Sequence, residues 1–291
     1  MIRFRGEIEP LNVIFILFLC AFFLMYLYRS FTEKTLVLSR NEKIINITAG
    51  MSQALVYILY FYFLFLFPSD SILIVIFYNF FGLILVFIDA VIFKTKNNLI
   101  EYIILILIVL ISLFLLLQTQ LLLGKTLENI SYLSLYGFIP AIFAALVGLL
   151  YKYLSDYKSN SIKDLVHNNL QFLFFRSMGG LILSGIVYMF FLLLSDFRIE
   201  MKVLELKLGL LYALFPFLIS HLFYSISLYK KASILILSML MNLSPIITLL
   251  SIYYFSGIRY ELDIYMLMSI IAILSLSSFL SIYHSKREKI I

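Results

Sequence analysis

The sequence predicts an all-α integral membrane protein with nine transmembrane helices in an inverted four-plus-five repeat. Three observations carry that expectation. Of the 291 residues, 63% are hydrophobic and only 13% charged, with a mean hydropathy of +1.06, whereas a soluble domain is nearer half apolar and a quarter charged. The apolar residues gather into nine runs, each about the ~20 residues a helix needs to cross ~30 Å of hydrocarbon. A shift of 162 residues lays the first run on the sixth, the second on the seventh, the third on the eighth and the fourth on the ninth, and puts Ser71-Ile72-Leu73-Ile74 on Ser233-Ile234-Leu235-Ile236.

The first run, residues 11–28, ends without the small-residue cleavage site of a signal peptide, and Leu19 before Cys20 does not suit a lipoprotein site, so it is expected to remain as a span. Runs follow at 44–67, 72–93, 99–117, 132–153, 170–194 and 206–229. Their short connectors carry turn residues such as Pro68-Ser69-Asp70 and Asn97-Asn98, which leaves no room for a soluble domain between them. The eighth run, 232–255, is interrupted by Asn242 and Ser244-Pro245, and a turn with Gly257, Arg259 and Glu261 joins it to the ninth, 262–283. An offset of five spans reverses orientation, as in the inverted repeats of many secondary transporters. The repeats are expected at 1–124, with four spans, and 125–291, with five. The fifth span has no partner, since its counterpart would fall before Met1.

The net charge of +6 is spread over the connectors. Fourteen Lys and Arg residues, among them Arg40, Lys43, Lys94, Lys230, Lys231 and Lys286, flank one side of the spans, and seven, among them Arg3, Arg5, Arg198 and Lys202, flank the other. The positive-inside rule therefore places the C-terminus in the cytoplasm and the N-terminus outside the cell membrane. Basic residues scattered in this way form no nucleic-acid patch. With Cys20 as the single cysteine, an intramolecular disulfide and a cysteine metal site are both excluded. His167, His221 and His284 lack metal-ligand spacing, and no phosphate-cradling loop or nucleophile with its base is present, so neither an enzyme, a metal nor a cofactor is expected.

Several polar residues inside the spans are candidates for a solute site, each with a plainer structural reading. Arg176 lies six residues inside the sixth span, roughly 9 Å deep at 1.5 Å per residue; it either snorkels to the headgroups or holds an anionic group of a solute or lipid. His221, near the midpoint of the seventh span, is the most deeply placed titratable residue, with Tyr224 and Ser225 at helical spacing. It either couples protons to transport or is a neutral histidine bonded to a neighbouring helix. Pro245 obliges its helix to kink or open, which frees carbonyls near Asn242 for a solute or simply bends the span. Gln53, Asn79 and Asn242 are neutral polar groups near span centres that bond across helices or face a cavity. Asp89 is a weaker candidate, five residues from Lys94. The small residues Ala141 with Ala145, Ala144 with Gly148, and Gly180 with Ser184 are expected to serve helix packing.

The chain resembles the drug/metabolite transporter superfamily. The resemblance rests on Tyr136-Gly137 with Ala141, Ala144, Ala145 and Gly148 in the fifth span, on Arg176 near the start of the sixth, and on Asn242-Leu243-Ser244-Pro245 followed by Glu261 in the last hairpin. It implies ten helices built as two inverted five-helix repeats. Glu9-Pro10-Leu11 resembles the start of that family's second helix, so residues 1–291 offer no counterpart of its first. The expected function is secondary transport of a small polar metabolite by alternating access, with membrane lipids and a small-molecule solute as partners. The rival expectations are a non-transporting membrane-embedded accessory subunit and a flippase or enzyme component acting on a lipid-linked substrate. No feature of the sequence sets an oligomeric state. A reporter fused after Ile291 should give a cytoplasmic signal, and an external signal would overturn the assigned topology.

Overall fold

The computed structural model of the chain describes residues 9–32, 38–66, 80–93, 99–122, 130–155, 162–194, 201–219 and 264–288, together with 74, 77, 78, 221 and 222. Its regular elements among these residues are all helical: α1 (Pro10–Phe31), α2 (Arg40–Leu66), α3 (Phe81–Phe93), α4 (Leu99–Leu122), α5 (Ile130–Ser155), α6 (Ile162–Leu194), α7 (Val203–Tyr212), which continues into a π-helical segment (Ala213–Ile219), and α8 (Ile264–Glu288). These eight helices correspond to eight of the nine expected spans. The remaining one, 232–255, lies outside the described residues.

Local chemistry explains several helix ends. Pro10 opens α1 at a position where its fixed φ suits the helix and its missing N–H is not needed. Ser39 and Glu42 form a capping box ahead of α2: the Ser39 N–H donates to Glu42 Oε2 (2.7 Å) and the Glu42 N–H to Ser39 Oγ (3.3 Å). Helix α6 begins eight residues before the apolar run that announced it, because hydropathy marks the lipid-facing stretch and not the end of hydrogen-bonded backbone. The seventh span is not one regular helix: it widens into the π-helical segment around Pro216.

Three helices, Pro10–Phe31, Arg40–Phe63 and Asn168–Leu194, are long and apolar enough to cross a membrane. Burial is distributed in the sense that a bilayer demands. Large apolar side chains such as Phe23, Ile186, Phe190, Leu193 and Phe215 are exposed, while Asn12, Asn46, Asn169, Gln171, Arg176 and Glu205 are buried. A charged or amide group costs several kcal/mol in hydrocarbon, about 2.5–3.5 for a central arginine on insertion scales, so it turns toward protein.

The chain divides into two compact units, Arg3–Phe65 with Leu146–Lys231, and Leu66–Ala145 with Ala232–Ile291. The first holds α1, α2, α6 and α7, and each sequence repeat contributes to both units. Within it α1 packs on α6 and α7. Phe15 stacks on Tyr188, Phe22 meets Phe174, and Arg29 lies over the rings of Phe174 and Phe175, so α1 runs antiparallel to α6. A core of Ile14, Leu17, Phe18, Ala21, Ala54, Leu173, Ala213 and Phe217 fills the centre of this unit. In the second unit α4 packs on α8 and on α3, and Phe138 of α5 rests against Phe77 and Phe80. Ala141 and Ala145 are fully buried, as packing residues should be.

Glycines set the closest approaches. A Cβ at Gly179 would overlap the carbonyl of Ile47 on α2, and one at Gly180 the ring of Phe18 on α1; one at Gly185 would meet Phe15 only at ordinary contact distance. Gly179→Ala should therefore cost about 1–3 kcal/mol, the usual range for overpacking, whereas Gly185→Ala should stay within about 0.5 kcal/mol of wild type. Thermal unfolding of the purified proteins in detergent checks this, and equal melting temperatures for the two variants would contradict the assigned crossings.

Candidate functional site

The first unit contains a charged centre at the crossing of α2 and α6. Arg176 is 1% exposed, and its Nε donates to Asn46 Oδ1 at 3.0 Å. Asn46 is held from its own helix, since its Nδ2 donates to the Glu42 carbonyl at 2.9 Å. That bond fixes which end of the amide faces the arginine, because the nitrogen is committed and only the oxygen can accept. The guanidinium also lies 6.0 Å from the centre of the Phe172 ring, within the range of a cation–π contact. Backbone and side chain of Arg176 both meet α2: a Cβ at Gly50 would overlap the Arg176 carbonyl oxygen, so the residue at 50 has to be glycine for the two helices to come this close.

Around this centre α6 carries further buried polar groups. Gln171 makes no hydrogen bond through either amide atom, and Asn169 none through Nδ2. Asn169 and Arg176 are seven residues apart, hence on one face of α6 and roughly 10 Å apart along it. Buried amides of this kind usually have partners and mark places where polar ligands or water are accepted. The ring of His221 lies edge-on to Phe217, with centroids 5.0 Å apart.

A second polar centre joins the N-termini of α1 and α7. The Glu205 carboxylate is buried and accepts three N–H groups: the Glu9 backbone on Oε1 (2.6 Å), and Asn12 Nδ2 (2.6 Å) and the Lys202 backbone (2.9 Å) on Oε2. Glu205 stands in the first turn of α7 and faces the first turn of α1, so one negative charge meets the positive ends of two helix dipoles. The carboxyl of Glu9 is held above the ordinary carboxylate range, chiefly by burial; a hydrogen bond from the Leu11 N–H opposes this and the neighbouring Glu205 adds to it.

Of the residues singled out in the sequence, Gln53, Arg176 and His221 belong to the first unit. Gln53 is buried on α2, seven residues and hence two turns from Asn46 on the same face. Arg176 is enclosed by α2 and α6 and not extended along the lipid face. Asp89 is buried, and so is Ser184, whose Oγ donates to the Leu181 carbonyl. Asn79, Tyr224, Asn242 and Pro245 lie outside the described residues. Sequence reasoning missed Asn46, Gln171 and Glu205. The spacing of Asn46, Gly50 and Gln53 along one helix face was a usable signal for the first; for Glu205 nothing announced the tie to α1, because two of its three donors, on Glu9 and Asn12, lie more than 190 residues away.

Glu205→Ala removes the acceptor of three donors, the buried Asn12 amide and the part-buried N–H groups of Glu9 and Lys202, and should destabilise the protein by about 3 kcal/mol at ~1 kcal/mol per unmade bond. Glu9 predicts a pH effect of defined sign. An acid whose folded pKa is raised favours the folded state below the unfolded carboxylate pKa and loses that contribution as pH rises through the raised value. Glu9→Gln should therefore match wild type in acid and be the more stable protein at neutral pH; melting curves across that range that stayed parallel would refute it.

No protein-family model and no curated protein matches the chain. A solved structure described as "Crystal structure of protein" is similar over 96% of this chain and 90% of its own length, with a TM-score of 0.70 and 12% sequence identity. At that identity the likeness is one of fold.

Proposed function

We propose that the chain is a secondary transporter of a small polar solute in the cell membrane, with its solute site built around Arg176, Asn46, Asn169 and His221. The observation that carries this reading is a fully buried arginine, held by an asparagine of another helix and accompanied on its own helix by Gln171, whose amide makes no hydrogen bond, and Asn169, whose Nδ2 makes none. Ionisable groups inside a membrane bundle are costly and are kept where a solute or ion must be handled. Arg176 supplies fixed positive charge for an anionic or strongly polar part of the solute, and the amides supply orientation.

The inverted repeat proposed from the 162-residue shift supports the same reading. The expected partners, the first and sixth spans, are α1 and α6, which pack on each other; the fourth and ninth are α4 and α8, which do likewise. Phe18 and Gly180 are 162 residues apart and in contact, as residues beside a two-fold axis would be. Inverted repeats of this kind underlie alternating access in many secondary transporters, and the resemblance to drug/metabolite transporters belongs to the same proposal.

Reconstituted vesicles test it. Wild-type protein should take up a member of a panel of small carboxylates, amino acids and sugars. Arg176→Gln should weaken that uptake by roughly 10- to 100-fold, the equivalent of a lost charge-assisted bond of about 1.5–3 kcal/mol. Wild-type vesicles as inert as empty ones across the panel would sink the transporter reading.

A further inference from the structure

Residues Glu205, Gly209, Ala213, Phe217 and His221 are spaced four apart along the seventh span. The first four are buried and face α1 in succession. Glu205 meets Glu9 and Asn12; a Cβ at Gly209 would overlap Ile16; Phe217 sets its ring edge-on to Phe18, with centroids 5.3 Å apart. His221 follows, its ring against that of Phe217. In a regular α-helix four residues advance by about 400°, so such a ladder drifts ~40° at each step and ~160° by His221. It would leave α1 before reaching Phe217.

The ladder stays in place because residues Ala213–Ile219 are π-helical. Each i→i+5 bond takes an extra residue into the turn. One extra residue turns everything after it back by about 100°, which returns Phe217 to Phe18 and carries His221 on from Phe217. Pro216 lies in the middle of this segment. A proline has no N–H to offer the carbonyl four residues earlier, here that of Tyr212, and its ring clashes with that carbonyl in α-helical geometry.

We propose that Pro216 is a positioning residue: by excluding the α-helical register at this point it imposes the wide turn that holds Phe217 on Phe18 and sets the register at which the span continues to His221 of the proposed solute site. The purpose of the device rests on the reading of that site as the solute site, but the register itself can be read without any solute.

Disulfide mapping in a Cys20→Ser background tests the register directly. Phe18→Cys with Phe217→Cys should form a disulfide on oxidation. In Phe18→Cys with Pro216→Cys the proline is gone, the helix can take the α register, and the residue at 216 should rotate into the place of 217 and form the bond instead. Adding Pro216→Ala to the Phe18→Cys, Phe217→Cys protein should remove most of its bond. If that bond persists and none forms from position 216, the wide turn does not depend on the proline, and the proposal is overturned. Loss of both bonds overturns it too, because the proline would then be holding the helix together and not setting its register. A clean switch from 217 to 216 in a protein that takes up no solute would leave the role of Pro216 intact and remove the transport reading.

Discussion

Two consecutive glycines, Gly179 and Gly180, fix the first unit. Successive residues of a helix point about 100° apart, so this pair lets two different neighbours close on α6 at one level: α2 through Ile47 and α1 through Phe18. Lipid chains are as apolar as leucine, so no hydrophobic force presses the helices together, and close van der Waals approach between backbones has to supply the association. Gly50 completes the arrangement from the α2 side. The position of Arg176 follows from this crossing, because the same approach that seats its carbonyl against Gly50 delivers its side chain to Asn46.

The two polar centres of the unit use charge differently. Glu205 is wrapped by three N–H donors at the meeting point of two helix N-termini, where backbone dipoles already favour a negative group. It is a tie between α1 and α7, and its cost of burial is offset by bonds made to fixed backbone. Arg176 lies deep within α6, fourteen residues from the helix start, and its Nε donates to a neutral amide. Between the two centres the aromatic side chains of Phe18 and Phe217 fill the interior. The π-helical segment keeps Phe217 on the side of the seventh span where Glu205 and Gly209 meet α1, so the tie at one end and the aromatic contact near the other belong to a single ladder of residues.

The sequence alone determined that the chain is helical and where its apolar runs lie, because twenty apolar residues in a row have few ways to satisfy their backbone other than a helix. It also marked Arg176 and His221, since a titratable group inside such a run is conspicuous on composition alone. The faces of the helices were not legible. A helix that is apolar nearly all round carries little amphipathic signal, so nothing in α1 or α6 says which stripe meets protein and which meets lipid. Only the tertiary structure decided that Gly179 and Gly180 serve two neighbours, that Asn46 is the partner of an arginine 130 residues away, and that Glu205 ties two helix ends together. The wide turn at Pro216 belongs to the same class: a proline announces that a helix must change there, but that it widens and so returns Phe217 to Phe18 is visible only in the structure.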